Sequence, residues 1–285
     1  MSSHETPDAV DAHHHYWRPA SDDPHPRPVQ GVFGPDELVP ELAAAGVAAT
    51  VLVQSVDDPR ENDRLAAYAA AVPEVAGTVA WLPLADPVAA RAELRRVRVL
   101  GPTPCGVRCL VERDPLEWLT TPDSLSLFRE LADRGLCWDV VPVTEPQLRA
   151  VTELAAAVPE LRIVVDHLAR PPLETGRRDL ASWARRLGAL AEHPGVALKV
   201  SVGVDALTAW PRWDAAELVP YVARAAELFG PRRLMLASNW PVVLLRRDYP
   251  GTWADLTAAL RAAGVAGRDL AEATGGTAAR WYRLG

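Results

Sequence analysis

The sequence is poor in the features that mark disulfide scaffolds, secreted chains and membrane proteins. Its three cysteines, Cys105, Cys109 and Cys137, are an odd number without paired zinc-type spacing, which predicts reduced, buried thiols. No stretch of about 18 uninterrupted apolar residues occurs, and residues 1–8 contain neither a basic nor an apolar segment. These absences argue against a membrane span and a secretion signal and predict a cytoplasmic protein.

The chain also lacks an excess of basic residues. It has 30 Lys and Arg against 37 Asp and Glu, a formal net charge of -7, and no basic run with interleaved aromatic residues. A nucleic-acid or anionic-membrane partner is therefore disfavoured. We expect a small-molecule partner, and the composition leaves a homo-oligomer open.

What the sequence does contain is an alternation of short apolar segments with Ala/Leu/Arg-rich segments of helical period. The predicted strands are 9–13, 50–54, 77–82, 106–110, 137–141, 162–166, 196–201 and 233–237. The predicted helices are 35–45, 61–71, 88–99, 122–134, 145–157, 178–192, 215–229 and 253–263. Alternation in eight units predicts an α/β fold of the closed (β/α)8 TIM-barrel type.

No break in composition marks a second domain, so residues 1–285 are expected to form a single barrel domain. A Pro-rich loop, 18–34, follows the first predicted strand and is expected to lie over the barrel mouth as part of a lid. Residues 269–284 are expected to add a C-terminal helical segment.

The first predicted strand ends in a histidine cluster, Asp11-Ala12-His13-His14-His15. At the two-residue period of a strand, Asp11, His13 and His15 share one face. Neutral imidazole is a common zinc ligand and also titrates near neutral pH. The pair His13 and His15 therefore predicts either a metal site or a proton-transfer site.

Polar and aromatic side chains end nearly every predicted strand. Enzymes with this barrel gather their catalytic groups at the C-terminal ends of the strands, so we expect these side chains to converge in one pocket. In chain order they are His13, His15, Gln54, Trp81, Arg108, Trp138, Asp139, Asp166, His167, Lys199, Ser201, Ser238, Asn239 and Trp240.

Two of the charged residues allow more than one interpretation. Arg108 suits a substrate carboxylate or a developing oxyanion, and it also suits an ion pair with Asp139 inside the barrel. Lys199 either stabilises a tetrahedral oxyanion or pairs with Asp166 or Asp139. Both residues are expected in the pocket in either case.

The alternation of residues along a strand also predicts which way their side chains point. Cys109 is expected to face the helices and be inert, and Asp166 is expected to point away from His167 and orient neighbouring loops. Tryptophans at strand ends are expected to wall the pocket with flat apolar surfaces. They are Trp17, Trp81, Trp138 and Trp240.

The ordered set of motifs resembles one family. The segments that carry the resemblance are Asp-Ala-His-His-His-Tyr-Trp (11–17), Val-Gln (53–54), Gly-Val-Arg (106–108), Asp-His-Leu-Ala-Arg-Pro (166–171), Leu-Lys-Val-Ser (198–201), Arg-Leu-Met-Leu-Ala-Ser-Asn-Trp-Pro-Val (233–242) and Gly-Thr-Ala-Ala-Arg-Trp-Tyr-Arg-Leu (276–284). They resemble the amidohydrolase-related TIM-barrel hydrolases, in the branch that holds sugar lactonases and pyrone-dicarboxylate lactonase. The resemblance implies a distorted barrel and hydrolysis of a lactone or similar cyclic ester or carbonyl substrate by water addition.

Asn239 departs from the pattern of the family, whose eighth strand commonly ends Ser-Asp-Trp-Pro. A carboxylate can take a proton from water or bind a metal as an anion, whereas a carboxamide is not basic. Family members differ in whether they keep a divalent metal. His13, His15 and His167 could still hold one zinc ion here, because three protein ligands suffice for a catalytic site. In the metal-free alternative, His13 and His15 bind the substrate and the base is His167 or Asp139.

The implied site has two groups of residues. The expected catalytic residues are His167, Arg108, Lys199 and Asn239. The expected substrate-binding residues are His13, His15, Gln54, Trp81, Trp138, Asp139 and Trp240.

Two other functions stay open at this point. One is metal-dependent, non-oxidative decarboxylation of an aromatic acid, as in some relatives of the wider superfamily. The other is a non-hydrolytic or biosynthetic descendant, in which Asn239 marks the loss of the ancestral reaction.

Overall fold

The computed structural model describes residues 9–17 and 28–285. Eight strands form one parallel sheet in the order of the chain. They are β1 (Val10–His14), β2 (Ala49–Val53), β3 (Val75–Trp81), β4 (Gly106–Arg108), β5 (Cys137–Val140), β6 (Arg162–Val165), β7 (Val196–Val200) and β8 (Leu234–Leu236).

The sheet closes between its first and last strands. His14 and Trp240 form a parallel β-bridge. Backbone hydrogen bonds run from His15 N to Trp240 O at 2.7 Å and from Asn239 N to His13 O at 2.9 Å. The predicted (β/α)8 barrel is thus confirmed.

Helices surround the sheet and follow the strands in the order expected. They are α1 (Pro35–Ala45), α2 (Pro59–Ala71), α3 (Pro87–Val97), α4 (Pro122–Asp133), α5 (Glu145–Ala157), α6 (Leu180–Ala191), α7 (Val204–Ala209), α8 (Ala215–Phe229), α9 (Tyr249–Ala262), α10 (Gly267–Ala271) and α11 (Thr277–Tyr282). The first four begin at a proline, whose fixed φ and missing N–H suit the first helical position.

Three local differences separate the structure from the predicted elements. β4 ends at Arg108 because the amide of Leu110 donates to the Asp57 carboxylate at 3.0 Å rather than to a neighbouring strand. The short helix α7 was not predicted. The C-terminal helical segment is divided, with a π-helical turn over Glu272–Gly276 between α10 and α11.

Two apolar layers fix the position of the barrel. The larger layer lies between the strands and the outer helices. The smaller layer fills the inside of the barrel at the N-terminal ends of the strands, where Ala278, Trp281 and Tyr282 of α11 pack against strand side chains. The opposite end of the barrel is therefore the end that can open to a ligand.

Only part of the predicted Pro-rich lid falls within the described residues, since 18–27 lie outside them. In the remainder, Phe33 forms a two-way backbone hydrogen-bond pair with Trp17, at 2.8 Å each way. Among the helices of 9–17 and 28–285, none has the length and apolar character needed to cross a membrane.

Candidate active site

A β-bulge in β1 sets the direction of the histidines. Between Asp11 and His14 the strand has one residue more than its partner, because Asp11 pairs with Thr50 and His14 with Leu52. A bulge of this kind shifts the alternation by one residue. The Asp11 carboxylate accepts the amide N–H of His13 at 3.1 Å, which stabilises the irregular backbone.

The bulge corrects the expectation that Asp11, His13 and His15 share one face. Asp11 instead faces β8 and accepts hydrogen bonds from Ser238 Oγ at 2.6 Å and Ser238 N at 2.9 Å. His13 and His15 both point into the barrel, with their Nε2 atoms 3.2 Å apart. His14 points outward, and its Nε2 lies 2.9 Å from Thr50 Oγ1.

A buried charge cluster, formed by Arg108, Asp139, Asp166 and Lys199, lies beneath the histidines. Lys199 Nζ lies 2.6 Å from Asp139 Oδ2 and 3.0 Å from Asp166 Oδ1. Arg108 Nη1 lies 3.4 Å from Asp166 Oδ2. Two cations thus balance two carboxylates, and this balance lowers the cost of burying them.

The cluster corrects two expectations from the sequence. Arg108 pairs with Asp166 and not with Asp139. Asp166 does not orient outer loops, because its carboxylate lies inside the barrel, 3.3 Å from His13 Nδ1. The physical reason is that β6 keeps its alternation through Val164 and Asp166, whereas His167 belongs to the turn that follows the strand.

The environment determines the charge of each carboxyl and amino group. Although burial opposes ionisation, Lys199, His13 and Arg108 hold the pKa of Asp166 well below its usual range. Burial raises the pKa of Asp139, and Lys199 opposes that shift. For Lys199 itself, burial favours the neutral amine, but the two carboxylates outweigh it and raise the pKa.

The histidines are held neutral at physiological pH. Burial, followed by the charge of Lys199, keeps the pKa of His13 well below its usual range. Burial and the charge of Arg108 do the same for His15. Burial lowers the pKa of His167 to about 3. Neutral rings can accept protons or bind a metal through a ring nitrogen.

A cavity of about 550 Å³ opens above the charge cluster at the C-terminal end of the barrel. This volume is within the usual range of small-molecule sites. Five of the expected site residues line it. They are His15, Gln54, Arg108, His167 and Asn239.

Three other expected site residues lie one layer deeper. His13, Asp139 and Lys199 are fully buried beneath the cavity and do not line it. Lys199 Nζ instead lies 3.1 Å from His13 Nδ1. Lys199, expected as a catalytic residue, therefore lies against His13 and does not reach the cavity.

The expected aromatic walls are largely absent from the cavity. Trp138 packs against Phe128 of α4, with ring centroids 5.0 Å apart, because its neighbour Asp139 takes the inward position on β5. Trp240 packs against Phe33 at 5.6 Å, and Trp81 packs on the outer core. Of the four strand-end tryptophans, Trp17 lines the cavity.

Cys109 packs in the outer apolar layer between the strands and the helices, as expected. It also borders the cavity. Burial raises the pKa of its thiol to about 12, which agrees with the expected inertness.

Two buried carboxamides carry polar atoms that no described group satisfies. Gln54 has neither side-chain atom paired, and Asn239 has its Oδ1 unpaired. Asn239 Nδ2 donates to Val202 O at 2.8 Å, which fixes the orientation of the amide. Buried polar atoms without partners are costly, so both side chains are suited to hydrogen-bonding a ligand in the cavity.

His167 is held by an unusual backbone. Residues 167–170 all have positive φ, from 49° to 55°, which is costly for residues other than glycine. His167 Nδ1 lies 2.8 Å from Ser201 Oγ. Gly203 lies against the imidazole, where a Cβ would come within 3.1 Å of His167 Cδ2. Sequence reasoning did not identify Gly203, and no local signal in the sequence marks it.

Two of the three expected metal ligands, His13 and His167, form a potential ligand group together with Asp166. His13, Asp166 and His167 bring one potential ligand atom each within 4.8 Å of one another. His15 also lies close to His13, but it is not part of that group. Its Nδ1 lies 2.8 Å from Val53 O and so carries the proton, which leaves Nε2 with a free lone pair.

Comparisons with known proteins agree with this geometry. The model of the amidohydrolase family matches residues 10–284. An L-fucono-1,5-lactonase of Burkholderia ambifaria is 34% identical, over 86% of this chain and 84% of its own length. An L-fucono-1,5-lactonase of Burkholderia multivorans is 30% identical, over 96% of each. A crystal structure of an amidohydrolase from Burkholderia multivorans with bound zinc superposes with a TM-score of 0.86 at 27% identity, over 97% of this chain and 99% of that one.

Proposed function

The chain belongs to the amidohydrolase family, and from that premise we propose that it hydrolyses a neutral sugar lactone at the C-terminal end of its barrel. It is an enzyme, and its class is hydrolase. The two lactonases to which it is similar align over most of their length, which supports a lactone as the substrate.

The observation that carries the proposal is the pair of unsatisfied carboxamides. Gln54 offers a donor and an acceptor, and Asn239 offers an acceptor, all buried at the cavity. The hydroxyl groups of a sugar lactone both donate and accept, so they can satisfy these atoms. A hydrocarbon ring would leave them unpaired at a cost of about 1–3 kcal/mol each.

The charges around the cavity favour a neutral substrate. Arg108 is paired with Asp166, and Arg170 is paired with Glu174 at 2.7 Å. Glu112 and Asp205 add negative charge to the lining. Among the described lining residues, both arginines thus already have a carboxylate partner, and an anionic substrate would meet a wall with little free positive charge.

The proposed reaction uses His167 and Arg108 at the carbonyl. Water adds to the lactone carbonyl, and His167 accepts its proton. Arg108 donates hydrogen bonds to the oxyanion, whose negative charge favours the protonated form of the nearby imidazole. The ring C–O bond then breaks, and His167 returns the proton to the leaving oxygen. The product is the open-chain hydroxy acid.

Asn239 and Lys199 support these steps without taking a proton. Asn239 Oδ1 can accept a hydrogen bond from the attacking water or from a substrate hydroxyl, since its amide is oriented by Val202 O. Lys199 holds His13 from below.

The residues fit one divalent metal ion, and we include zinc in the proposal. His13 Nε2 and His15 Nε2 lie 3.2 Å apart, close to the roughly 3.4 Å between two ligands of a tetrahedral zinc. His13 Nδ1 lies 3.3 Å from Asp166 Oδ1 and 3.1 Å from Lys199 Nζ, and its Nε2 lies 3.2 Å from Arg108 Nη1. Metal binding through Nε2 would therefore require Nδ1 to donate to Asp166 in place of accepting from Lys199, and Arg108 to turn away from Nε2. These two imidazoles would hold the ion and leave His167 free as the base, and the ion, when bound, would polarise the carbonyl as a Lewis acid. Elemental analysis is expected to show metal in the purified protein and much less in His15→Ala, and equal contents would contradict the assignment.

A substrate panel tests the proposed function. Acid release is measured with L-fucono-1,5-lactone, with other aldonolactones, and with δ-valerolactone, which has no hydroxyl groups. Carbon dioxide release is measured with 2,6-dihydroxybenzoate. We expect acid release from the aldonolactones. Decarboxylation without lactone hydrolysis would instead identify the alternative activity.

Gln54→Leu tests the role of the carboxamides. The variant keeps a similar volume and removes both polar atoms, so kcat/KM for the sugar lactone is expected to fall by roughly 10- to 100-fold. Hydrolysis of δ-valerolactone should be unchanged or improved, because that substrate has no hydroxyl to satisfy the amide. An equal loss with both substrates would contradict the assignment.

A further inference from the structure

Helix α11 contacts the buried charge cluster from the end of the barrel opposite the cavity. Its Tyr282 is buried among strand side chains inside the barrel. The phenol donates to Asp139 Oδ2 at 2.6 Å, and Lys199 Nζ lies 5.5 Å from the centre of the ring. Neither the proposed reaction nor the comparisons assign a role to this contact.

The position of the phenol is fixed by its surroundings. The Arg162 guanidinium donates to Trp281 O and to Gly135 O, at 3.1 Å for the second. Cys137 Sγ lies 3.2 Å from Trp281 O. These contacts attach the end of α11 to β5 and β6, so the hydroxyl has little freedom to turn away from Asp139.

Lys199 links the contact between Tyr282 and Asp139 to His13. An ammonium group has three N–H donors, and Lys199 Nζ has three neighbours within hydrogen-bond distance: Asp139 Oδ2, Asp166 Oδ1 and His13 Nδ1. Tyr282 and Lys199 share one oxygen of Asp139. The hydroxyl therefore reduces the charge that this oxygen can direct at Lys199.

We infer that Tyr282 is a positioning residue for the proposed hydrolysis, acting on His13 through Asp139 and Lys199. This inference rests on the proposed function. When the hydroxyl is removed, Asp139 Oδ2 attracts the ammonium more strongly and draws it away from His13. The ring of His13 then loses a contact that orients it beside His15.

The kinetic test is Tyr282→Phe, which removes one oxygen atom and keeps the ring. We expect kcat for the sugar lactone to fall roughly tenfold with KM changed less than about twofold, because Tyr282 does not touch the cavity. Tyr221→Phe is the matched control. Tyr221 is also a buried residue, but its hydroxyl lies in the outer layer, 2.5 Å from Gly176 O and 3.2 Å from Pro172 O. Its loss is therefore expected to lower stability and leave kcat unchanged.

A second readout does not need a substrate. In protein labelled with ¹⁵N-histidine, the ring-nitrogen signals of His13 are expected to shift in Tyr282→Phe and to stay in place in Tyr221→Phe. Unchanged His13 signals would overturn the inference, and so would wild-type kcat in an active Tyr282→Phe enzyme. If the wild-type protein hydrolyses no lactone, the proposed function fails, and the histidine signals still decide the role of Tyr282.

Discussion

The fit between Gly203 and His167 gives a direct test of the proposed base. In Gly203→Ala, the new Cβ would lie 3.1 Å from His167 Cδ2, 3.2 Å from Cβ and 3.3 Å from Cγ. Ordinary carbon contacts begin near 3.5 Å, so the ring must move by a few tenths of an ångström. The backbone itself tolerates alanine, since φ at Gly203 is -83°.

The imidazole has little room to move without losing its contacts. Ser201 Oγ lies 2.8 Å from its Nδ1, and the ring of His13 lies at a centroid distance of 4.5 Å. A misplacement of about 1 Å can cost about 100-fold in rate, so a displacement of a few tenths of an ångström is expected to lower kcat roughly fivefold. Overpacking is expected to lower the free energy of unfolding by about 1–3 kcal/mol.

Gly188→Ala provides the matched control. This glycine is in α6, where a Cβ would meet Leu228 Cδ2 at an ordinary 3.8 Å. The control should gain up to about 1 kcal/mol in stability from helix propensity and keep kcat. Steady-state kinetics and urea unfolding of the three proteins measure both effects. Wild-type kcat in Gly203→Ala would refute the assignment of His167 as the base.

Three further predictions concern the thiols, the amide of Asn239 and the attachment of α11. Burial raises the pKa of Cys109 and Cys137 to about 12 and that of Cys105 well above its usual range. Because a thiol is protonated below its pKa, the thiolate fraction of Cys109 and Cys137 at pH 8 is about 1,000-fold below that of a thiol with a pKa of 9. Ellman's reagent should therefore react fast only after denaturation. Asn239→Asp replaces an amide donor by a carboxylate that faces a backbone carbonyl, so urea unfolding should show a loss of about 1–3 kcal/mol, and unchanged stability would contradict the orientation of the amide. Arg162→Met removes donors to three backbone carbonyls and should cost about 3 kcal/mol in the same assay; a loss below 1 kcal/mol would show that the attachment is weak.

The barrel could be predicted from the sequence because its signals are local. Eight apolar segments alternate with helical ones, and prolines such as Pro35 and Pro122 mark where helices begin. The site residues on the cavity, for example Gln54 and His167, could be placed because each lies at the end of its strand.

The layout within the site depends on pairing between distant segments, which the sequence does not display. The bulge that separates Asp11 from His13 appears only when β1 is aligned with β2. Trp138 and Asp139 are neighbours on one strand, so only one of them can point inward. Tyr282 belongs to the site through a contact with a residue 143 positions away, and no local pattern indicates such a distance.

The seam between β1 and β8 also has a consequence for how the enzyme is made. Asp11 and Ser238 are 227 positions apart, yet their hydrogen bonds stabilise the bulge that orients His13. Contacts of such long range form late and slow folding. During synthesis on the ribosome, His13 and His15 emerge well before β8, so the ring of strands that orients them stays open until β8 has left the exit tunnel. The site can therefore assemble only after β8 has emerged.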